Sequence, residues 1–263
     1  MERQVASWMT VTADAPAQLV LSVAVADEYG SSAVPVVRQA GRELMAAPVS
    51  DQHGATLHVV DVDAGRATIS YQTTVFGTAA ADPVTDIDRI RYRRPSRYCE
   101  SDTLAPIARA QFGGLTGRDL LDGVSSWVGS QLLYVPGSSL PTDGAVNTLL
   151  ARRGVCRDYA HLVVALLRAL DVPARLVSVY APGLSPMDFH AVAEAAIDDE
   201  WSAVDATALA PRQSLVRIAT GRDASDTAFL TSFGGRVTLD TLEVAAVVDA
   251  LPMDDVRDRV RIS

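Results

Sequence analysis

Apolar and polar positions alternate through the first third of the chain. In AQLVLSVAVA, Ala17 to Ala26, the residues Leu19, Leu21, Val23 and Val25 share one face at period two, which predicts a half-buried strand. ATLHVVDV and RATISYQTTVFG alternate in the same way, and the Asp63 to Gly65 stretch between them predicts a hairpin. Short strands punctuated by Gly, Asp and Pro predict a small β-sandwich ending near Asp82 to Ile87.

The period then changes. After Pro95, Ser101 or Asp102 can cap a helix that runs to about Phe112 and stops at Gly113 and Gly114. A second helix covers Thr116 to Leu133, with Leu120, Leu121, Val124, Trp127 and Val128 on its apolar side. VPGSSLPTDG reads as a loop and Asn147 to Arg153 as one or two helical turns. A third long helix begins near Cys156 and ends at Asp171, Val172 and Pro173, where the proline prevents continuation. ARLVSVYAPG, FHAVAEAAID and EWSAVDAT follow as strands. Helices followed by a short antiparallel sheet indicate an α+β domain.

Composition narrows the function classes. The 263 residues carry 48% apolar and 21% charged side chains, as an ordinary globular protein does. With 23 basic and 32 acidic residues the net charge is −9, which argues against nucleic acid or an anionic membrane as partner. No basic leader followed by an apolar segment opens the chain, and no apolar run approaches the ~18 residues needed to cross a bilayer. The expected compartment is the cytoplasm, where the two cysteines, Cys99 and Cys156, stay reduced.

Candidate chemistry centres on GVCRDYAHL. A thiol has an ordinary pKa of about 8.5 and becomes nucleophilic near a helix N-terminus or an imidazole. Cys156 sits at a helix start, where its backbone N–H could also hold an oxyanion. Of the four histidines, His53 and His58 lie in the β-rich third without an evident partner. His161 is five residues on along the same helix, roughly 140° around, and poorly aimed. His190, in MDFHAVAEA, starts an alternating strand. Asp205 follows it by 15 residues, the spacing of the far end of a hairpin turning at Asp198, Asp199 and Glu200. Cys156, His190 and Asp205 therefore form a candidate nucleophile, base and orienter.

GVCRDYAHL, FHAVAEA and EWSAVDAT, in that order and spacing, resemble the transglutaminase-like family of the papain-like cysteine-enzyme superfamily. The resemblance extends to GRDASDTAF, Gly221 to Phe229, to RPSRYCESDTLAPIA before the helices, and to the β-rich first third, which is similar to the N-terminal domain of the bacterial members. Two positions depart from the commonest pattern: Val192 stands where an aromatic often follows the His, and Ala206 where a proline often follows the Asp.

The resemblance implies an N-terminal β-rich domain over 1–92, a papain-like core of helices on an antiparallel sheet over 93–235, and a C-terminal strand and tail over 236–263. It also implies a Cys–His–Asp triad acting through a thioester on peptide or protein amide bonds, as a protease, an amidohydrolase or, given an amine acceptor, a transamidase. A catalytically silent scaffold of the same fold is the alternative. Pairing of Cys99 with Cys156 in a redox sensor is a third reading. Trp127 is a core position by its spacing, with lining of the substrate cleft as its functional alternative. Asp223 and Asp226 either orient a substrate amine or cap a turn. Asp158 is expected to brace the first turn of the cysteine helix. A zinc set of Cys99, Cys156, His161 and His190 lacks the close paired spacing of such sites, so no metal or other cofactor is expected.

Overall fold

The computed structural model describes residues 1–80 and 82–262. A β-sandwich and a helix-on-sheet core share one chain. The five-stranded sheet of the sandwich runs in the order Val237–Val248, Glu2–Ala13, Gly65–Phe76, Val36–Gln39, Arg42–Leu44. The facing sheet runs Leu230–Gly234, Ala17–Leu21, Thr56–Val62, Ala47–Ser50. Their inner faces, among them Val11, Leu19, Leu21, Val60, Ile69 and Tyr71, form one apolar core.

Two sequence expectations change here. The predicted hairpin across Asp63 is instead a crossing between sheets: Thr56–Val62 pairs with Ala17–Leu21, and Gly65–Phe76 pairs with Glu2–Ala13. The side-chain amide of Gln39 receives the Asp63 N–H at 2.9 Å and donates to the Asp63 carbonyl at 2.9 Å. Gly65 takes a positive φ of 124° that favours glycine. Two alternating strands that both need an inner face are satisfied equally by a sandwich, which period two does not distinguish from a hairpin. The second change concerns the domain limits. Leu230–Gly234 and Val237–Val248 complete the two sandwich sheets, so the chain returns to its first domain after building the core.

The core has the expected helices, at Ser101–Phe112, Gly117–Gln131, Ala145–Ala151 and Cys156–Ala169. They pack through Leu104, Val124, Val128 and Leu162 to Leu167 onto Ala193, Ala195 and Val204 of an antiparallel sheet. That sheet runs in the order Glu200–Val204, Phe189–Ile197, Ala174–Tyr180, Val216–Gly221. Asp198 and Asp199 both take positive φ, 51° and 62°, as a two-residue hairpin turn of the mirror-image kind requires.

A buried ionic cluster joins sandwich and core. Glu194 on the histidine strand accepts from Arg175 Nε at 2.8 Å and from Arg217 Nη1 and Nη2 at 3.0 and 2.8 Å. Arg175 also meets Asp82, and Arg217 meets Glu28. His53, without a partner in the sequence reading, sits 2.9 Å from Asp82 and 2.8 Å from the Tyr92 hydroxyl. Among the described residues no helix is long and apolar enough to cross a membrane.

Candidate active site

The helix that carries Cys156 is started by its neighbours. Val155, the N-cap, is extended, and the buried Asp158 carboxylate accepts the Val155 N–H at 2.8 Å. This is the reach-back half of a capping box, as expected of Asp158. Gly154 lies under that carboxylate, where an added Cβ would stand 2.6 Å from the Asp158 Cβ and 2.8 Å from its Oδ2. Helix geometry leaves the N–H groups of Cys156 and Arg157 without intrahelical partners. The thiol itself is partly exposed and free.

His190 starts the strand Phe189–Ile197, and Asp205 follows the paired strand Glu200–Val204. Both are buried, and His190 Nε2 stands 2.8 Å from Asp205 Oδ2. A carboxylate only accepts, so Nε2 carries the hydrogen and Nδ1 is the basic nitrogen in the neutral ring. The other Asp205 oxygen accepts from the Thr207 N–H at 2.9 Å and the Thr207 hydroxyl at 2.7 Å. Nδ1 is buried and unpaired, and Cys156 is close enough to act on the ring.

Burial alone would lower the imidazole pKa; the Asp205 charge and hydrogen bond, then Cys156, outweigh it and raise the value to about 10. Burial works against the Asp205 carboxylate too, but His190 and Thr207 hold it below its ordinary range. The structure thus brings together Cys156, His190 and Asp205, in an environment that favours an imidazolium.

Tyr134 was not singled out in the sequence. It lies 22 residues before Cys156 and is placed by a two-residue parallel ladder, Leu133–Tyr134 against Arg153–Gly154. Its hydroxyl is close enough to the Cys156 N–H and sulfur for both to act on it. Burial first, then the charge of Cys156, pushes this phenol up to about 12. A tyrosine opening a Val-Pro-Gly loop carries no local signal for this contact, which depends on a pairing of two residues.

His161 and Cys99 lie in other surroundings. His161 is fully buried, accepts the Ala224 N–H at 3.1 Å and stacks on Tyr98 with ring centroids 5.3 Å apart. Burial depresses it to about 3, so it stays neutral. Cys99 is buried and unbridged, and burial pushes its thiol up to about 12.

The three candidate substrate-binding residues have structural partners. Trp127 packs edge-on against Phe112, ring centroids 5.7 Å apart, in the helical core, with the Arg152 guanidinium over its ring. Asp223 is fully buried and accepts from the Tyr98 N–H and from the Ser225 N–H and hydroxyl, capping a short helical turn. Asp226 pairs with Arg222 at 2.9 Å. Of their two readings, the geometry supplies the turn-capping one for Asp223 and a loop ion pair for Asp226.

A sequence model described as the transglutaminase-like superfamily matches residues 108–206. A crystal structure of a candidate cysteine protease from Cytophaga hutchinsonii superposes with a TM-score of 0.86 at 30% identity, covering 98% of this chain and 95% of that one. An uncharacterized protein of Mycobacterium leprae is 28% identical over 172 residues, which are 60% of this chain and 60% of that protein. One from Mycobacterium tuberculosis is 39% identical over 62 residues, 24% of this chain and 20% of its own length. The chain therefore matches only part of the length of these curated relatives.

Proposed function

The chain belongs to the transglutaminase-like superfamily, and from that membership we propose that it is a cysteine-dependent acyl-transfer enzyme acting on amide bonds. One observation carries the reading: a partly exposed thiol at a helix N-terminus faces an imidazole whose far nitrogen is held at 2.8 Å by a buried carboxylate.

In this mechanism His190 Nδ1 takes the Cys156 proton and Asp205 stabilises the resulting imidazolium. The thiolate attacks the amide carbonyl carbon, and the electron pair of the C=O bond moves to oxygen. The Cys156 N–H and the Tyr134 hydroxyl, which meet each other in the resting site, are donors that can turn to that oxyanion. As the intermediate collapses, the C–N bond breaks and the amine leaves with the proton from Nδ1, which leaves a thioester on Cys156. Water, deprotonated by Nδ1, then releases a carboxylic acid; an amine in its place gives a new amide. Hydrolysis is the simpler outcome, since water needs no second binding site.

The test is alkylation at about pH 6, where an ordinary thiol is almost wholly protonated. Cys156 should react with iodoacetamide while Cys99 does not, and His190→Ala should abolish the reaction. Equal, slow labelling of both cysteines would refute an activated thiol and favour a silent scaffold.

A further inference from the structure

The chain returns to the core after its last sandwich strand. Residues 249–262 contain no regular element, yet they cross the sheet edge that carries Asp205. The Ala203 N–H, two residues before Asp205, donates to the Val260 carbonyl at 2.8 Å. Val260 and Ile262 are buried, and Arg217 donates to the Ile262 carbonyl.

Arg212, seven residues after Asp205, makes the more informative contact. Its Nη1 donates to the Ala203 carbonyl at 3.2 Å, so one guanidinium ties together the two flanks of the Asp205 turn. The opposite edge of that guanidinium is held by the tail. Nε and Nη2 form a two-pronged pair with Asp254, both at 2.9 Å, and Nη2 also donates to the Asp255 carbonyl at 2.7 Å. Asp254 further accepts the Arg212 N–H at 2.8 Å and the Gln213 side chain at 3.2 Å.

The tail touches the His190 approach as well. A Cβ on Gly183, in the loop before the histidine strand, would stand 2.9 Å from Leu251 and 3.0 Å from Pro211. A cavity of about 230 Å³ lies between Asp205 and the tail, walled by Leu209, Arg212, Asp254 and Val256.

We propose that the tail is a positioning element for the His190–Asp205 pair, acting through the Asp254–Arg212 contact rather than through any contact with substrate. The proposal rests on the triad reading above. Planar, two-pronged Arg–carboxylate pairs fix orientation as well as distance. Released, Arg212 no longer spans the Asp205 turn, and the carboxylate loses the brace that orients it toward His190.

The experiment compares Asp254→Ala and the milder Asp254→Asn with the wild type and His190→Ala. Its readout is the ratio of Cys156 alkylation rates at about pH 6 and about pH 9, by intact mass. Asp254→Ala should lower that ratio about tenfold, the effect of about one unit in the pair's titration, with the rate at the higher pH within about twofold of wild type. Asp254→Asn, which keeps an acceptor, should fall between. A loss of melting temperature with an unchanged ratio in both variants would make the tail merely structural and overturn the proposal. If His190→Ala itself leaves the ratio unchanged, the triad reading fails and takes the proposal with it. If only the Asp254 variants leave it unchanged, the proposal fails alone.

Discussion

Glu194→Gln should unseat the strand that presents His190. Glu194 and both of its arginine partners are almost entirely buried, with side-chain exposures of 1% for Glu194, 0% for Arg175 and 3% for Arg217. Burial by itself would raise the carboxyl pKa. The two guanidinium charges and their hydrogen bonds reverse this and lower it from 4.5 to about 2. At ~1.4 kcal/mol per unit that shift corresponds to about 3 kcal/mol of stability. Breaking a buried ion pair typically costs about 3–5 kcal/mol, and Asp82 and Glu28 remain as partial partners, so the lower end applies. At ~2–4 °C per kcal/mol the melting temperature should fall by about 6–12 °C.

The pH dependence identifies the cause. A depressed carboxyl contributes fully above its unfolded pKa and loses that contribution as pH falls through the folded value. The stability gap between wild type and Glu194→Gln should therefore be widest near neutrality and narrow toward about pH 2. Urea unfolding followed at several pH values measures both quantities. A gap below about 1 kcal/mol at neutral pH, or one that does not change on acidification, would refute the reasoning.

Two further substitutions address the site. Tyr134→Phe removes one proposed oxyanion donor and should lower acyl transfer about 10²–10³-fold in kcat, well beyond the change in Cys156 alkylation that follows from losing its contact with the sulfur; a parallel fall in both would point to a misplaced thiol instead. Gly154→Ala puts a Cβ 2.6 Å from the buried Asp158 side chain, so the reach-back cap on Val155 must shift. A stability loss of about 1–3 kcal/mol and slower alkylation of Cys156 are expected, and an unaffected alkylation rate would show that the cap does not place the thiol.

Much of this protein is written locally. Gly113 follows the helix that ends at Phe112, and the helix that ends at Ala169 is closed by Asp171 at a positive φ of 62° before Pro173 bars its continuation. The Asp198–Asp199 turn brings Asp205, just past the end of its strand, beside His190 on the neighbouring strand, so the separation of 15 residues was legible in the sequence. Cys156 is different: its helix start is local, but its partner histidine is identified only by order and family resemblance.

What the tertiary structure alone decided depends on pairings that no short window contains. Period two placed an apolar face on Thr56–Val62 and on Gly65–Phe76, but the two pair in opposite sheets, with the Gln39 amide bridging the Asp63 backbone between them. Val237–Val248 lies beside Glu2–Ala13. Tyr134 reaches Cys156 through a two-residue ladder, and the Glu194 cluster joins charges from five separated segments. Asp223 illustrates the limit: its sequence allowed a substrate contact or a turn cap, and burial against Tyr98 and Ser225 made it the cap. The sequence by itself determined the periodicities, the turns and the order of the chemical groups. Which faces were covered, which charges met and which polar atoms were left to react followed only from folding, because burial and long-range pairing are properties of the whole chain.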